Sequence, residues 1–119
     1  MFSPVDTGWN ENCGASNCFD GYTGPETYCR RSGMCHIGDY HTNPYLRLDI
    51  GYSRWVWGLQ IYNRALHSWE LGEHEVWVGM SPAGPMGAGN LQCYRHTTST
   101  SGVPLLDKLC TASTATWGK

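Results

Sequence analysis

Six cysteines in a chain of 119 residues constrain the fold more than any other feature of this sequence. A domain of this size has a modest core, and covalent cross-links are a common way to stabilise it. The number of cysteines is even, and they do not form the repeated CxxC pairs of a zinc ribbon. We therefore predict about three disulfide bonds, with the pairing left open, and an oxidising location that is extracellular or lumenal.

The net charge and the motif content argue against several classes of function. The formal net charge is −2, which provides no attraction for a phosphate backbone, so a nucleic-acid partner is not expected. No apolar run approaches the roughly 18 residues of a membrane-spanning helix, so no transmembrane segment is expected. The chain has no Gly-x-Ser-x-Gly motif and no phosphate-binding loop, and we expect it not to be an enzyme.

Alternating apolar residues predict three half-buried β-strands, at residues 45–50, 55–62 and 73–79. Their β-branched and aromatic content also favours strands over helices. The residues that share the predicted buried face of each strand are Leu46, Leu48 and Ile50, then Trp57, Leu59 and Ile61, then His74, Val76 and Val78.

The remaining segments have the composition of loops. Residues 1–35 are rich in Gly, Pro, Asn, Ser and Cys, and residues 64–72, 81–90 and 97–102 are rich in turn-forming residues. Short strands with long loops, and no helix longer than two turns, are typical of an antiparallel β-sandwich. We therefore predict a single all-β domain over residues 1–119, with an irregular N-terminal segment at residues 1–16.

Several segments, in order, resemble the F-type lectins and discoidin-like domains, which have the galactose-binding-like fold. The resemblance covers about residues 17–119, and its main motifs are Asn17-Cys18-Phe19-Asp20-Gly21, Cys35-His36, Thr42-Asn43-Pro44-Tyr45-Leu46-Arg47-Leu48-Asp49-Ile50-Gly51, Gln60-Ile61-Tyr62-Asn63-Arg64 and Glu75-Val76-Trp77-Val78-Gly79. It implies a jelly-roll sandwich with disulfide-stapled loops. At both ends the sequence departs from the family, and we expect the terminal strands to be absent or shortened. It also implies a Cys93–Cys110 bridge, and we expect local pairing among Cys13, Cys18, Cys29 and Cys35.

The resemblance implies a sugar site as well. In F-type lectins one His and two Arg hold the sugar, and His36 and Arg64 match the first two, with 27 residues between them. At the position of the second Arg the sequence reads Trp69-Glu70-Leu71-Gly72. Imidazole and guanidinium groups donate to sugar oxygens while an aromatic wall stacks on the ring. The aromatic residues placed by their loops to form that wall are Tyr40, His41, Trp69 and Tyr94.

Each of these residues also has a structural interpretation. Arg64 ends a strand, where its guanidinium group could tie the loop to a carboxylate or a carbonyl. His36 could pair with the backbone or with Asp39. Asn17 and Asp20 match a loop in which family members often hold calcium, which prefers oxygen ligands. Asp20 capping a turn without a metal is the alternative.

Three functional hypotheses follow. The first is a noncatalytic module that binds carbohydrates or glycoproteins, with glycans as its partners. The alternative is a structural or accessory subunit of a larger extracytosolic assembly, in which the same sandwich serves as a protein–protein docking module. A third is contact with membrane lipid through aromatic loop tips, although the sequence lacks the basic cluster that such contact favours.

Overall fold

The computed structural model describes residues 2–3, 14–23, 34–36, 44–110 and 116–118. Its regular structure in these ranges is antiparallel β-strand with short 3-10 helices and no α-helix, so the prediction of a β-rich chain is confirmed. The chain divides into two compact units. The described residues of the first are 2–3, 14–23, 34–36, 44–48 and 64–66, and those of the second are 49–63, 67–110 and 116–118.

The strand pair of the first unit is shorter than the sequence predicts. β1 (Phe2–Ser3) pairs antiparallel with β2 (Tyr45–Leu46), and residues 47–50 do not continue the strand. Leu46 and Leu48, predicted to face inward, are 37% and 47% exposed, whereas Tyr45 and Arg47 are half-buried. Ile50, the third residue of the predicted face, is half-buried. The predicted inward orientation is therefore wrong for Leu46 and Leu48. Alternation separates the two faces of a strand, but the packing partner decides which face is buried.

The N-terminal cysteines pair locally where the structure describes them. Cys18, in the 3-10 helix Ala15–Phe19, forms a disulfide with Cys35, and their Cα atoms lie 5.2 Å apart. The Nδ2 atom of Asn17 donates a hydrogen bond of 3.0 Å to the carbonyl of Met34. The bridge and this hydrogen bond thus join the same two segments. The other two N-terminal cysteines, Cys13 and Cys29, lie outside the described residues.

The described part of the second unit contains three antiparallel strand pairs. They are β3 (Arg54–Val56) with β8 (Thr116–Gly118), β4 (Gly58–Tyr62) with β7 (Leu105–Leu109), and β5 (His74–Val78) with β6 (Leu91–His96). The predicted strand at residues 73–79 is thereby confirmed. β5 contacts β8, and β6 contacts β7. Hydrogen bonds between described residues do not join the pairs into one sheet.

The predicted strand at residues 55–62 is interrupted at Trp57. The segments on its two sides, β3 and β4, pair with different strands. The Trp57 carbonyl accepts a hydrogen bond of 2.8 Å from the Cys110 amide, and its side chain is 68% exposed, so its predicted inward orientation is wrong. Leu59 and Ile61 are half-buried, as predicted.

The β4–β7 pair has one buried and one exposed face. Directly opposed residues of an antiparallel pair share a face. Ile61 is opposite Leu106, which is only 3% exposed, and together they lie on the buried face. Gln60 is opposite Asp107, and both are exposed. The burial pattern shows that this pair contributes to the core of its unit through one side only.

A β-bulge in the β5–β6 pair places two neighbouring residues in the interior. The register shifts between Val76 and Trp77, which makes Cys93 the extra residue of β6. Cys93 and the adjacent Tyr94 are 1% and 9% exposed, although neighbouring residues of a regular strand point to opposite faces. Cys93 forms the predicted disulfide with Cys110, at a Cα separation of 4.4 Å.

Candidate functional site

The two predicted sugar ligands lie in the same unit. His36 directly follows the disulfide-bonded Cys35, and residues 64–66 also belong to the first unit. Both His36 and Arg64 are half-buried, with the Nδ1 atom of His36 and the Nε atom of Arg64 shielded from solvent. Each residue also interacts with its surroundings. This placement is compatible with both the sugar-binding and the structural interpretation.

The predicted aromatic wall is divided. Trp69 belongs to the second unit and is 55% exposed. Tyr94, predicted to lie on a loop rim, is instead a buried residue of β6, so that expectation is wrong. The physical reason is the bulge at Cys93, which turns Tyr94 inward. Tyr40 and His41 lie outside the described residues.

The predicted calcium ligands take part in local hydrogen bonds. Asp20 ends the 3-10 helix, and its Oδ1 atom accepts a hydrogen bond of 2.8 Å from the Tyr22 amide. This is the geometry of a side chain that caps a turn. The Asn17 amide group donates to the Met34 carbonyl. No group of three or more His, Cys, Asp or Glu residues in the described ranges is arranged to hold a metal ion.

A histidine–tyrosine cluster spans the β5–β6 pair, where the sequence suggested only a strand. The Nδ1 atom of His74 donates to the Gly72 carbonyl at 2.8 Å, so in the neutral ring Nε2 accepts from the Tyr94 hydroxyl at 3.0 Å. The rings of His74 and His96 stack with centroids 5.1 Å apart. Burial lowers the pKa of His74; the bond to Gly72 opposes this, and the charges of His96 and Lys108 add to it. Burial raises the pKa of Tyr94, which keeps its hydroxyl protonated as a donor.

A buried polar network fixes the loops around residues 63–72 and 97–104. The fully buried Thr100 donates through Oγ1 to the Ser68 carbonyl at 2.6 Å and accepts from the Gly72 amide at 2.9 Å. The Asn63 side chain donates to the same Ser68 carbonyl at 2.8 Å, and the Gly102 amide donates to the Ser68 hydroxyl at 2.8 Å. We call this the Ser68–Thr100 network. A Ser/Thr-rich composition indicated a loop but not which hydroxyl is buried.

The Ser68–Thr100 network positions two exposed rings. The imidazole of His67 and the indole of Trp69 have centroids 4.6 Å apart at an angle of 41°. The Nδ1 atom of His67 lies 3.5 Å from Oε1 of Glu70. The sequence pattern predicts a sugar contact for Trp69 but not for His67. The signal that it lacked is the backbone conformation of His67, whose φ of 58° is left-handed.

Comparisons with family models, with curated proteins and with solved structures found no match to this chain. No helix in the described ranges is long and apolar enough to cross a membrane. The two described disulfides fit an oxidising compartment outside the cytosol.

Proposed function

We propose that this chain is a noncatalytic carbohydrate-binding module, with His36 and Arg64 as sugar ligands. The observation that supports the proposal most directly is the placement of both residues in one compact unit. A half-buried guanidinium group has the properties of a sugar ligand, because its planar fork of donors is preorganised and partly desolvated. The neighbouring Cys18–Cys35 disulfide holds the segment that carries His36.

The proposed architecture is a β-sandwich of the galactose-binding-like type. Two features of the second unit support it. The β4–β7 pair is buried on one face only, as in one layer of a sandwich, and β5 and β6 contact β8 and β7. Secretion, or residence in an oxidising lumen, is the proposed location. A structural calcium ion near Asn17 and Asp20 remains part of the proposal, with oxygen ligands as its basis.

A glycan array, followed by calorimetric titration of the best ligand, tests this function. Arg64→Lys keeps the charge but removes the planar fork, so we expect about tenfold weaker binding with an unchanged melting temperature. Arg95→Lys is the matched control, because Arg95 is an exposed residue of the second unit, where its Nε atom lies 3.6 Å from Glu75. Measuring each sample with calcium and with a chelator tests the metal.

Two results would count against the proposal. If the wild-type protein binds no glycan on the array, with or without calcium, the proposed function is wrong. If Arg64→Lys lowers the melting temperature and leaves glycan affinity unchanged, Arg64 is a structural residue that ties its loop in place. The second result would remove this residue from the site while leaving glycan binding itself established.

One observation favours the alternative, an accessory subunit that docks on another protein of a larger assembly. The exposed face of the β4–β7 pair carries Tyr62 opposite Leu105 at one end and Leu109 at the other. Tyr62, Leu105 and Leu109 are 48%, 39% and 77% exposed, so this face presents apolar area at both ends, and exposed apolar area of this kind can mark a protein contact. Leu109→Gln should raise solubility without changing glycan binding if this face serves a protein partner. If the wild-type protein is as soluble as Leu109→Gln and stays monomeric at every concentration, the docking function is contradicted.

A further inference from the structure

Residues 67–69 of the second unit alternate between exposed and buried positions. His67 and Trp69 are exposed, the latter by 55%, while Ser68 between them is only 7% exposed. A 3-10 helix over Ser68–Glu70 follows His67 directly. The two rings are therefore presented to solvent by a segment whose central residue is anchored.

The anchoring comes from the Ser68–Thr100 network. The carbonyl and the hydroxyl of Ser68 both form hydrogen bonds: the carbonyl accepts from Thr100 and Asn63, and the hydroxyl accepts from the Gly102 amide. Because these partners come from different loops, the position of Ser68 is fixed from several directions. A segment fixed in this way loses less conformational entropy when a ligand binds to it.

The backbone of His67 has a left-handed conformation, which is uncommon for residues other than glycine, although histidine adopts it more often than most. Its φ of 58° is left-handed, and it is the only residue other than glycine with a positive φ among the described residues. Such conformations persist where surrounding structure imposes them, and they concentrate at functional sites. Here the conformation brings the imidazole to 4.6 Å from the indole, and the Glu70 amide donates to the His67 carbonyl at 3.0 Å. The result is a tilted aromatic pair in which both residues are exposed and form an aromatic surface.

The polar groups beside this surface indicate the chemical class of its ligand. The Nδ1 atom of His67 lies 3.5 Å from Oε1 of Glu70, so a donor and an acceptor stand next to the exposed indole. A pyranose ring has matching chemistry, because C–H groups on one face pack on an aromatic ring while hydroxyls at its rim form hydrogen bonds. The Glu70 carboxylate disfavours acidic sugars by repulsion. The surface thus suits a neutral sugar.

We infer that His67, Trp69 and Glu70 form a binding ledge for a neutral pyranoside, stacked on the Trp69 indole. The ligand class rests on the proposed carbohydrate-binding function. The choice of these three residues does not rest on that function, because they belong to the second unit, whereas His36 and Arg64 belong to the first. Sugar contact at the ledge is therefore separable from sugar contact at those two residues.

Nuclear magnetic resonance titration tests the ledge, with methyl β-galactopyranoside and methyl β-glucopyranoside as probes and N-acetylneuraminic acid as the acidic comparison. We expect the Trp69 indole resonance, assigned with Trp69→Phe, to shift with a neutral probe. Trp69→Ala should weaken that binding at least about tenfold, as stacked aromatic contacts at binding hot spots do. Trp57→Ala is the matched control, since Trp57 is also an exposed tryptophan of the second unit, and we expect it to leave affinity unchanged.

The effects of Trp69→Ala and Arg64→Lys distinguish failure of the ledge from failure of the proposed function. If Trp69→Ala leaves glycan affinity unchanged while Arg64→Lys weakens it, the ledge is wrong and the proposed site stands. If Trp69→Ala weakens binding and Arg64→Lys does not, the ledge stands without those first-unit ligands. Equal weakening by Trp69→Ala and Trp57→Ala would overturn the ledge, and so would binding of the acidic sugar in preference to both neutral probes.

Discussion

Replacing Thr100 by Val removes the hydroxyl at the centre of the Ser68–Thr100 network while nearly preserving the side-chain shape. Two hydrogen bonds are lost, to the Ser68 carbonyl at 2.6 Å and from the Gly72 amide at 2.9 Å. The Ser68 carbonyl keeps its bond from Asn63, whereas the Gly72 amide loses this acceptor. Each lost bond is worth about 1 kcal/mol, and a shielded donor left unsatisfied costs about 1 kcal/mol or more. We expect Thr100→Val to lower the free energy of unfolding by about 2–3 kcal/mol.

Urea unfolding of the oxidised protein, followed by tryptophan fluorescence, measures this change. The slope with urea should stay constant while the midpoint falls, because the surface exposed on unfolding is the same. Thr100→Ser keeps the hydroxyl and loses one methyl group, so a loss of about 1 kcal/mol is expected. Thr98→Val is the surface control, since Thr98 is exposed in the same loop and its hydroxyl forms only a solvent-exposed hydrogen bond of 3.2 Å with Nε2 of His96. Its effect should stay within about 0.5 kcal/mol.

Equal stability of the Thr100→Val and Thr98→Val proteins would refute the expectation that the Thr100 hydroxyl stabilises the fold. It is also refuted if Thr100→Ser costs more than Thr100→Val, because the methyl group, and not the hydroxyl, would then carry the stability of this site. Calorimetry provides an independent measurement. For a domain of this size, a loss of 2–3 kcal/mol corresponds to a fall in Tm of roughly 10 °C.

Three further predictions concern other parts of the second unit. Replacing Cys93 and Cys110 together by Ala should cost about 3 kcal/mol in urea unfolding, since the bridge closes a loop with a sequence separation of 17; a loss below about 1 kcal/mol would contradict this. The pKa of His74 is lowered in the folded state, so the unfolded chain binds more protons and stability should fall as pH drops through about 6.5. His74→Gln should flatten that dependence, and an unchanged slope would assign it to another group. Gly79→Ala should lower stability by about 1–3 kcal/mol, because the new Cβ atom meets Asn90, which organises the following loop; a Tm equal to wild type would show that the loop yields freely.

The sequence predicts those parts of the fold that depend on neighbouring residues, and it fails where distant residues decide the structure. The strand at residues 73–79 was predicted because its alternation and its pairing agree. The segments around Leu48 and Trp57 were mispredicted, because alternation describes a strand in isolation. Strand length and the choice of buried face are set by pairing partners that lie far away in the chain, as with β3 and β8.

The candidate sites show the same limit for side chains. Spacing and residue type identified His36, Arg64 and Trp69 as candidates. They did not indicate that Trp69 lies in a different compact unit from the other two, because unit boundaries follow contacts and not sequence order. The left-handed conformation of His67 was also hidden, since it lies next to Ser68, two of whose hydrogen-bond partners are 32 and 34 residues away in the chain and depend on tertiary packing.

The β-bulge at Cys93 has a consequence for how the protein reaches its native pairing during oxidation. Without the bulge, in the register that pairs Val76 with Tyr94, Cys93 would lie opposite Trp77. It would then be on the other face of the pair from Tyr94 and would point away from Cys110, because successive side chains of a strand alternate in direction. A misaligned hairpin therefore keeps reactive thiols, whereas the aligned hairpin loses them on forming the bridge. Thiol–disulfide exchange therefore continues in misaligned chains, and it stops in correctly aligned chains once Cys93 and Cys110 are bonded.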